Sequence, residues 1–500
     1  RTWIRKIKEI IFAFQLERKL SKEQILELYL NDLYFGRGIY GIQAACKRFW
    51  NKDVTQVTLD QAATLAAVAK SARYYSPLNA PLTAKFRRNV ILKSMQNLGY
   101  ISEQEQQEAR KEQLVIQDCV QGSPIRMYIQ EWIRTWAEQK WGRDALYHNG
   151  LKIKTTISAR MQDDAEKAFS DVIQTIRTSQ NQNVDGGMVT LEVTTGKIKT
   201  VVGGMNFYES QFNRAFQAYR QLGSSFKPIL YALALTSGFD MDDVFVDEPF
   251  ELQQPDGSFW KPRNWHRRFE GGMTLLRALT MSNNIISIKL LLQVGVQRVV
   301  QWAQAFGITR DLLPFPSLAL GTAHASPQEN AAAFNVFANN GMYVEPYMIE
   351  WVKDTWGKKI WTYEPVKRYV LDSKTNSKMV KALTYRMEFV RNFAYKEWID
   401  CESIGKSGST NGAVTTWFVG STPEYTAAIY IGRDDSKPMG DNVYANSTAF
   451  PIWLNFFKTM KSKNKHFYYD PELKPVDVNW VTGKREYMRS DSNVVTILKN

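Results

Sequence analysis

Gly223-Ser224-Ser225-Phe226-Lys227-Pro228 places a hydroxyl three residues before an amine. If a helix begins here, residues i and i+3 lie on nearly one face, and Ser224 and Lys227 come within hydrogen-bonding reach. A serine hydroxyl is a poor nucleophile until a base takes its proton. The positive end of a helix favours an oxyanion and disfavours an ammonium. Both effects push Lys227 toward the neutral form that serves as a base. Ser-x-x-Lys alone is a weak pattern, so its meaning depends on what accompanies it.

Two further stretches accompany it. Met281-Ser282-Asn283-Asn284 falls on a predicted helix. A Ser and an Asn two apart can face one cleft, Ser282 passing protons and Asn284 binding an amide; the same pair elsewhere is often only a helix cap. Gly405-Lys406-Ser407-Gly408-Ser409 sets a lysine and two hydroxyls on a predicted strand edge, which suits a substrate carboxylate. Its glycines, Gly405 and Gly408, permit close backbone approach. By itself such a stretch reads as a turn. A Ser-His-Asp triad competes poorly, because His148, His266, His324 and His466 are the only histidines and none sits in a recognisable triad motif.

Around these stretches the chain is large. Five hundred residues exceed one hydrophobic core, so two or more domains are expected. The apolar share of 44% is that of a globular chain and excludes disorder as the main state. A formal net charge of +14 suits an anionic membrane face, an anionic polymer or nucleic acid. The basic residues are spread along the chain, with only short runs such as Lys461-Ser462-Lys463-Asn464-Lys465, and neither zinc-finger spacing nor an RNA-binding signature is present. Nucleic acid is therefore not the expected partner. Cys46, Cys119 and Cys401 are far apart and imply no disulfide framework, and no Cys/His cluster has metal-ligand spacing. No apolar run reaches the roughly 18 residues needed to span a bilayer.

Residues 1–110 read as helical. Ser21-Lys22-Glu23-Gln24 and Thr58-Leu59-Asp60-Gln61 are capping boxes that open helices. Residues 111–150 read as a polar helical linker. From 151 to 461 strand signals flank a helical block. Gly187–Val193 alternates, Thr195-Gly196 turns, and Ile198–Val202 returns; Trp417–Gly420 and Tyr425–Ile431 form a second pair. Leu275–Leu292 reads as one packed helix. Strands on both sides of helices predict an α+β domain with a single sheet. Residues 462–500 read as a polar tail without period.

Ser-x-x-Lys, Ser-x-Asn and Lys-Ser-Gly in this order match the motif set of class A β-lactamases and penicillin-binding proteins. With Phe212-Asn213-Arg214-Ala215, Ser317-Leu318-Ala319-Leu320-Gly321, Ser326-Pro327 and Trp417-Phe418-Val419-Gly420-Ser421-Thr422-Pro423, the chain resembles a class A, bifunctional penicillin-binding protein over roughly residues 150–460. Arg5-Lys6-Ile7-Lys8-Glu9 and Tyr29–Gly38, followed by Gly41-Ile42-Gln43-Ala44-Ala45, are similar to the second half of a family-51 glycosyltransferase. The resemblance implies a partial all-α, lysozyme-like glycosyltransferase segment plus an α+β transpeptidase-like domain, with a central antiparallel sheet flanked by helices.

It also implies function. A D-Ala-D-Ala stem peptide would acylate Ser224 with Lys227 as base. Ser282 would relay the proton and Asn284 would hold the stem's amide. Lys406, Ser407, Gly408 and Ser409 would receive the carboxylate, and β-lactams would trap Ser224. Arg5, Lys6 and Glu9 would serve lipid II polymerisation, Arg5 and Lys6 on the pyrophosphate and Glu9 beside the leaving group. No cofactor is implied for the transpeptidase; a divalent metal is compatible with the glycosyltransferase. The implied setting is the extracytoplasmic membrane face, with lipid II and nascent peptidoglycan as partners and a single-pass anchor upstream of Arg1. The family's first glycosyltransferase Glu is also expected upstream, so these residues alone are expected not to polymerise lipid II. Leu222 stands where the family has Pro, Ser407 and Ser409 where it has Thr, and Arg391-Asn392-Phe393 where it has Gly-Thr-Gly. A water-accepting carboxypeptidase or β-lactamase, a non-catalytic β-lactam sensor, and a wall-binding protein with a decayed site are the alternatives. The glycosyltransferase-like segment and the three intact motifs weigh against them.

Overall fold

The computed structural model describes residues 12–36, 39–78, 80–116, 123–148, 150–179, 183–253, 256–354, 356–394, 397–440, 443–460, 464–486 and 493–500. The chain forms two compact units: residues 1–123 with 137–150, and residues 124–136 with 151–500.

The first unit is helical: α1 (Lys22–Asp32), α2 (Ile42–Trp50), α3 (Leu59–Lys70), α4 (Pro81–Asn97) and α5 (Glu103–Lys111). Both expected capping boxes form, Ser21 with Gln24 and Thr58 with Gln61. Each closes otherwise unpaired N–H groups at a helix start. Phe35, Ala45, Cys46, Phe49, Trp50, Leu65 and Val68 make its core. Arg88 on α4 is fully buried and donates to the carbonyls of Arg110 and Glu112 at 3.1 and 3.0 Å, which fastens the end of α5 to α4.

The polar helical connector read over 111–150 contains the helix α6 (Met127–His148). In the second unit, α7 (Ala159–Ser179) precedes strands β1 (Asp185–Glu192) and β2 (Ile198–Val202). Then follow α8 (Lys227–Thr236), α9 (Leu275–Met281), α10 (Asn284–Val294), α11 (Pro327–Ala338) and α12 (Ser373–Ala394). Strands β3 (Ile404–Ser409), β4 (Thr415–Ser421) and β5 (Tyr425–Gly432) and helix α13 (Ala449–Lys458) come last. The five strands form one antiparallel sheet in the order β3-β4-β5-β1-β2. Side chains alternate across it. Met188, Phe418 and Ile429 pack with Phe169 and Ile173 of α7 and Trp453 of α13 on one face. Val189, Trp417, Val419 and Tyr430 pack on the other face, in the core that contains α8 and α11. Helices cover both faces, which leaves β3 as an edge that can face substrate.

Two expectations are corrected. Leu275–Leu292 is not one helix: Ser282 adopts φ 59°, ψ 39° and ends α9, and Asn283 caps α10 by accepting from the Ile286 amide. Residues 462–500 are not a featureless tail. Lys474–Asn479 pairs with Val494–Lys499, and Val478, Val495 and Ile497 enter the main core. Short alternating apolar pairs diluted by polar residues conceal that hairpin from a periodicity reading.

Candidate active site

The turn carrying Ser224 is held by its own backbone. The Leu222 amide donates to Ala323 O and the Gly223 amide to Gly321 O, each at 3.0 Å. Leu222 and Phe226 are fully buried, so the residues on either side anchor the turn while Ser224 stays half-buried. Gly223–Phe226 is a 3₁₀ turn, and the α-helix starts only at Lys227. Pro228 sits in the first helical turn, where a missing N–H costs nothing. Neighbouring Ser225 is 3% exposed, and its hydroxyl donates to Leu222 O at 2.7 Å. Of the two adjacent serines, only Ser224 is partly exposed.

Glycines set the spacing between this turn and its neighbours. A Cβ on Gly321 (φ +77°) would lie 1.9 Å from Gly223 O, and a Cβ on Gly408 would lie 2.3 Å from Leu222 O. Neither obstacle is a flexible side chain, so the backbone itself would have to move. Gly321→Val is expected to cost about 3 kcal/mol of stability and to slow acylation of the site at least tenfold. Thermal unfolding and penicillin-labelling rates measure the two effects.

Lys227 is fully buried. Its Nζ donates to Ser282 O at 2.7 Å, Asn284 Oδ1 at 2.8 Å and Asn283 O at 3.0 Å, and lies 3.5 Å from Ser282 Oγ. Among the described residues its hydrogen bonds go to these groups and none goes to Ser224, unlike the direct pairing expected from the spacing. The Lys227 amine is instead taken up by the carbonyls of Ser282 and Asn283 and by Asn284 Oδ1. Burial pushes the Lys227 amine down to about 7. The left-handed backbone at Ser282 costs a β-carbon residue on the order of 1 kcal/mol; its carbonyl and hydroxyl both meet Lys227.

Lys406 on β3 is also fully buried. Its Nζ donates to Ser282 Oγ and to Ser407 O, both at 2.9 Å. Ser282 Oγ therefore lies between two amines. Burial, then the charges of Arg386 and Lys227, hold the Lys406 amine well below the ordinary lysine range. Lys406 thus meets Ser282 rather than lying open to a carboxylate, whereas Ser407 is half-buried and Ser409 exposed on the same strand. Asn284 is committed too: Oδ1 accepts from Lys227, Nδ2 donates to Arg263 O at 2.9 Å, and its amide donates to Asn264 Oδ1 at 2.9 Å. Oδ1 retains a second lone pair for a substrate N–H.

Two contributors escape sequence reasoning. Asn264, 3% exposed, donates to both oxygens of Asp247 at 2.9 Å and fixes the loop that supports Asn284. Arg386 on α12 donates to Gly405 O and Ser407 Oγ. Neither belongs to a short motif; only the fold brings them in. Arg5, Lys6 and Glu9 lie outside the described residues. Among the described residues no group of three or more His, Cys, Asp or Glu is placed to hold a metal ion.

Comparison with known proteins agrees with this arrangement. Residues 1–96 match a family model described as "Transglycosylase", and residues 186–452 match "Penicillin binding protein transpeptidase domain". Penicillin-binding protein 1A of Neisseria lactamica is 30% identical over 570 residues of alignment, covering 92% of this chain and 71% of that protein. Penicillin-binding protein 1A of Aquifex aeolicus is 29% identical, covering 96% and 77%. The crystal structure of penicillin-binding protein 1A from Haemophilus influenzae superposes with a TM-score of 0.77 at 23% identity, over 96% of this chain and 91% of that one. The PonA1 protein of Mycobacterium tuberculosis in complex with penicillin V has the same fold over 73% of this chain and 98% of that one, with a TM-score of 0.61 at 21% identity. With one domain of each kind in a single chain, the protein belongs to the class A penicillin-binding proteins, the transglycosylase-transpeptidases of peptidoglycan synthesis.

Proposed function

We propose that Ser224 is the acyl-accepting nucleophile of a D-Ala-D-Ala transpeptidase. The Lys227 lone pair takes the Ser224 proton as Oγ bonds to the carbonyl carbon of the penultimate D-Ala. The backbone N–H groups of Ser224 and Ser409 receive the oxyanion, a contribution of about 3 kcal/mol. When the C–N bond breaks, the proton passes from Lys227 through Ser282 to the departing D-Ala amine. An amine of a second stem then attacks the ester, forms the cross-link and returns the proton to Ser224. A β-lactam follows the first half of this path; its leaving amine stays tethered, so the ester persists.

The observation that carries this reading is Ser282 Oγ, set between the buried amines of Lys227 and Lys406, with Ser224 half-buried three residues before Lys227. Such a bridge can move one proton without a water. Lipid II and nascent peptidoglycan are the proposed substrates, with Arg5, Lys6 and Glu9 serving the glycosyltransferase reaction and the membrane surface as the working location. The test is peptide mapping after exposure to benzylpenicillin. The adduct mass is expected on the peptide containing Ser224; an adduct on Ser225 or elsewhere, or none, overturns the assignment.

A further inference from the structure

Arg386 is 5% exposed, and burial pushes its guanidinium down to about 10. Buried arginines are ordinarily paired with carboxylates. Among the described residues Arg386 has none. Nη1 donates to Gly405 O at 3.1 Å, Nη2 donates to Ser407 Oγ at 3.0 Å, and Nε is buried without a partner. Close approach of α12 to β3 makes this contact. A Cβ on Gly405 would lie 2.9 Å from Met387 Sδ and 2.7 Å from Phe418 Cζ, so glycine here leaves room for the Met387 side chain beside the strand.

Ser407 is the half-buried hydroxyl of the Lys406–Ser409 strand. Because its oxygen accepts from a guanidinium, its own proton is free to point away from Arg386, and the cationic donor polarises it. Lys406 and Lys227, both buried, stand near the same strand, and the Arg386 charge acts on Lys406. Three basic side chains thus converge where the described residues supply no anion to Arg386.

We infer that Arg386 is a positioning residue that makes the site selective for donors ending in a free carboxylate, by orienting the Ser407 hydroxyl to donate to it and by supplying uncompensated positive charge behind it. This inference rests on the acyl-Ser224 reading.

The test uses two D-alanyl thioester donors, one ending in a free carboxylate and one closed as its methyl ester; the activated carbonyl keeps both reactions measurable. Arg386→Met is expected to lower kcat/KM for the carboxylate donor roughly tenfold or more while changing the ester by less than about twofold. Arg386→Lys is expected to recover part of the discrimination. Ser407→Ala, which leaves Arg386 in place, is expected to give the same split, with a sub-additive effect in the double variant. Thermal unfolding midpoints monitor folding of each variant. Equal losses on both donors would mean a structural role and would overturn the inference, as would unchanged discrimination in both single variants. A wild-type protein that turns over neither donor and takes no acyl group from penicillin would instead overturn the acyl-Ser224 reading, and this inference with it.

Discussion

Ser224→Ala is expected to abolish covalent labelling by fluorescent penicillin while the protein remains folded. The turn is anchored through the backbone amides of Leu222 and Gly223 and the buried side chains of Leu222 and Phe226, not through Ser224. Losing a half-buried hydroxyl there costs about 0.5 kcal/mol or less. The chemical loss has no comparable substitute. Ser225 is adjacent in sequence, but its hydroxyl is buried and bonded to Leu222 O. Ser225→Ala is accordingly expected to label at a rate within about tenfold of wild type, slowed only by loss of that anchor. Gel fluorescence against time separates the two variants. Equal labelling of Ser224→Ala and wild type would remove Ser224 from the chemistry.

The three motifs were legible because they are short and carry their chemistry in residue type and spacing. The sheet was legible as short strand-like runs bounded by turn residues: Gly187–Val193 and Tyr425–Ile431 carry few polar residues because both faces are buried. What the sequence concealed depends on the backbone path or on contacts distant along the chain. The break at Ser282 places a non-glycine residue in a left-handed conformation, which propensity disfavours and the surrounding packing imposes. The Ser224–Lys227 spacing says nothing of Ser282, Asn283 and Asn284, 55 to 57 residues later, which take the Lys227 hydrogen bonds. Lys406 suits a carboxylate by residue type, but its strand-edge setting says nothing of Ser282, 124 residues earlier, whose hydroxyl it meets. Arg386 lies in a helix of mixed polarity, where one more basic residue carries no signal until α12 is laid against β3.

Lys227→Met is expected to slow acylation about 10³-fold, the usual range for removing a positioned general base, and to change the pH profile as well as its height. The unbranched side chain fills most of the volume of the buried lysine stem. In the wild type, burial sets the Lys227 amine to about 7. Below that pH the amine binds a proton and loses the lone pair that would take the Ser224 proton. The rate is therefore expected to fall about tenfold per pH unit below about 7 and to level off above it. In Lys227→Met that ascending limb should vanish. A limb that persists near 7 would assign the base elsewhere, with Lys406, on the other side of Ser282 Oγ, as the next group to replace. Stability supplies an independent check of the same buried amine. The folded value lies below the ordinary lysine value of 10.5, so as pH falls through that window the unfolded chain takes up the proton first. Wild-type stability should then decline between pH of about 10 and about 7, with no further change from this group below that range. Lys227→Met should flatten this slope, whatever offset arises from leaving Ser282 O, Asn283 O and Asn284 Oδ1 without their donor. Denaturant unfolding at several pH values, set beside the labelling rates, tests whether one buried amine sets both profiles.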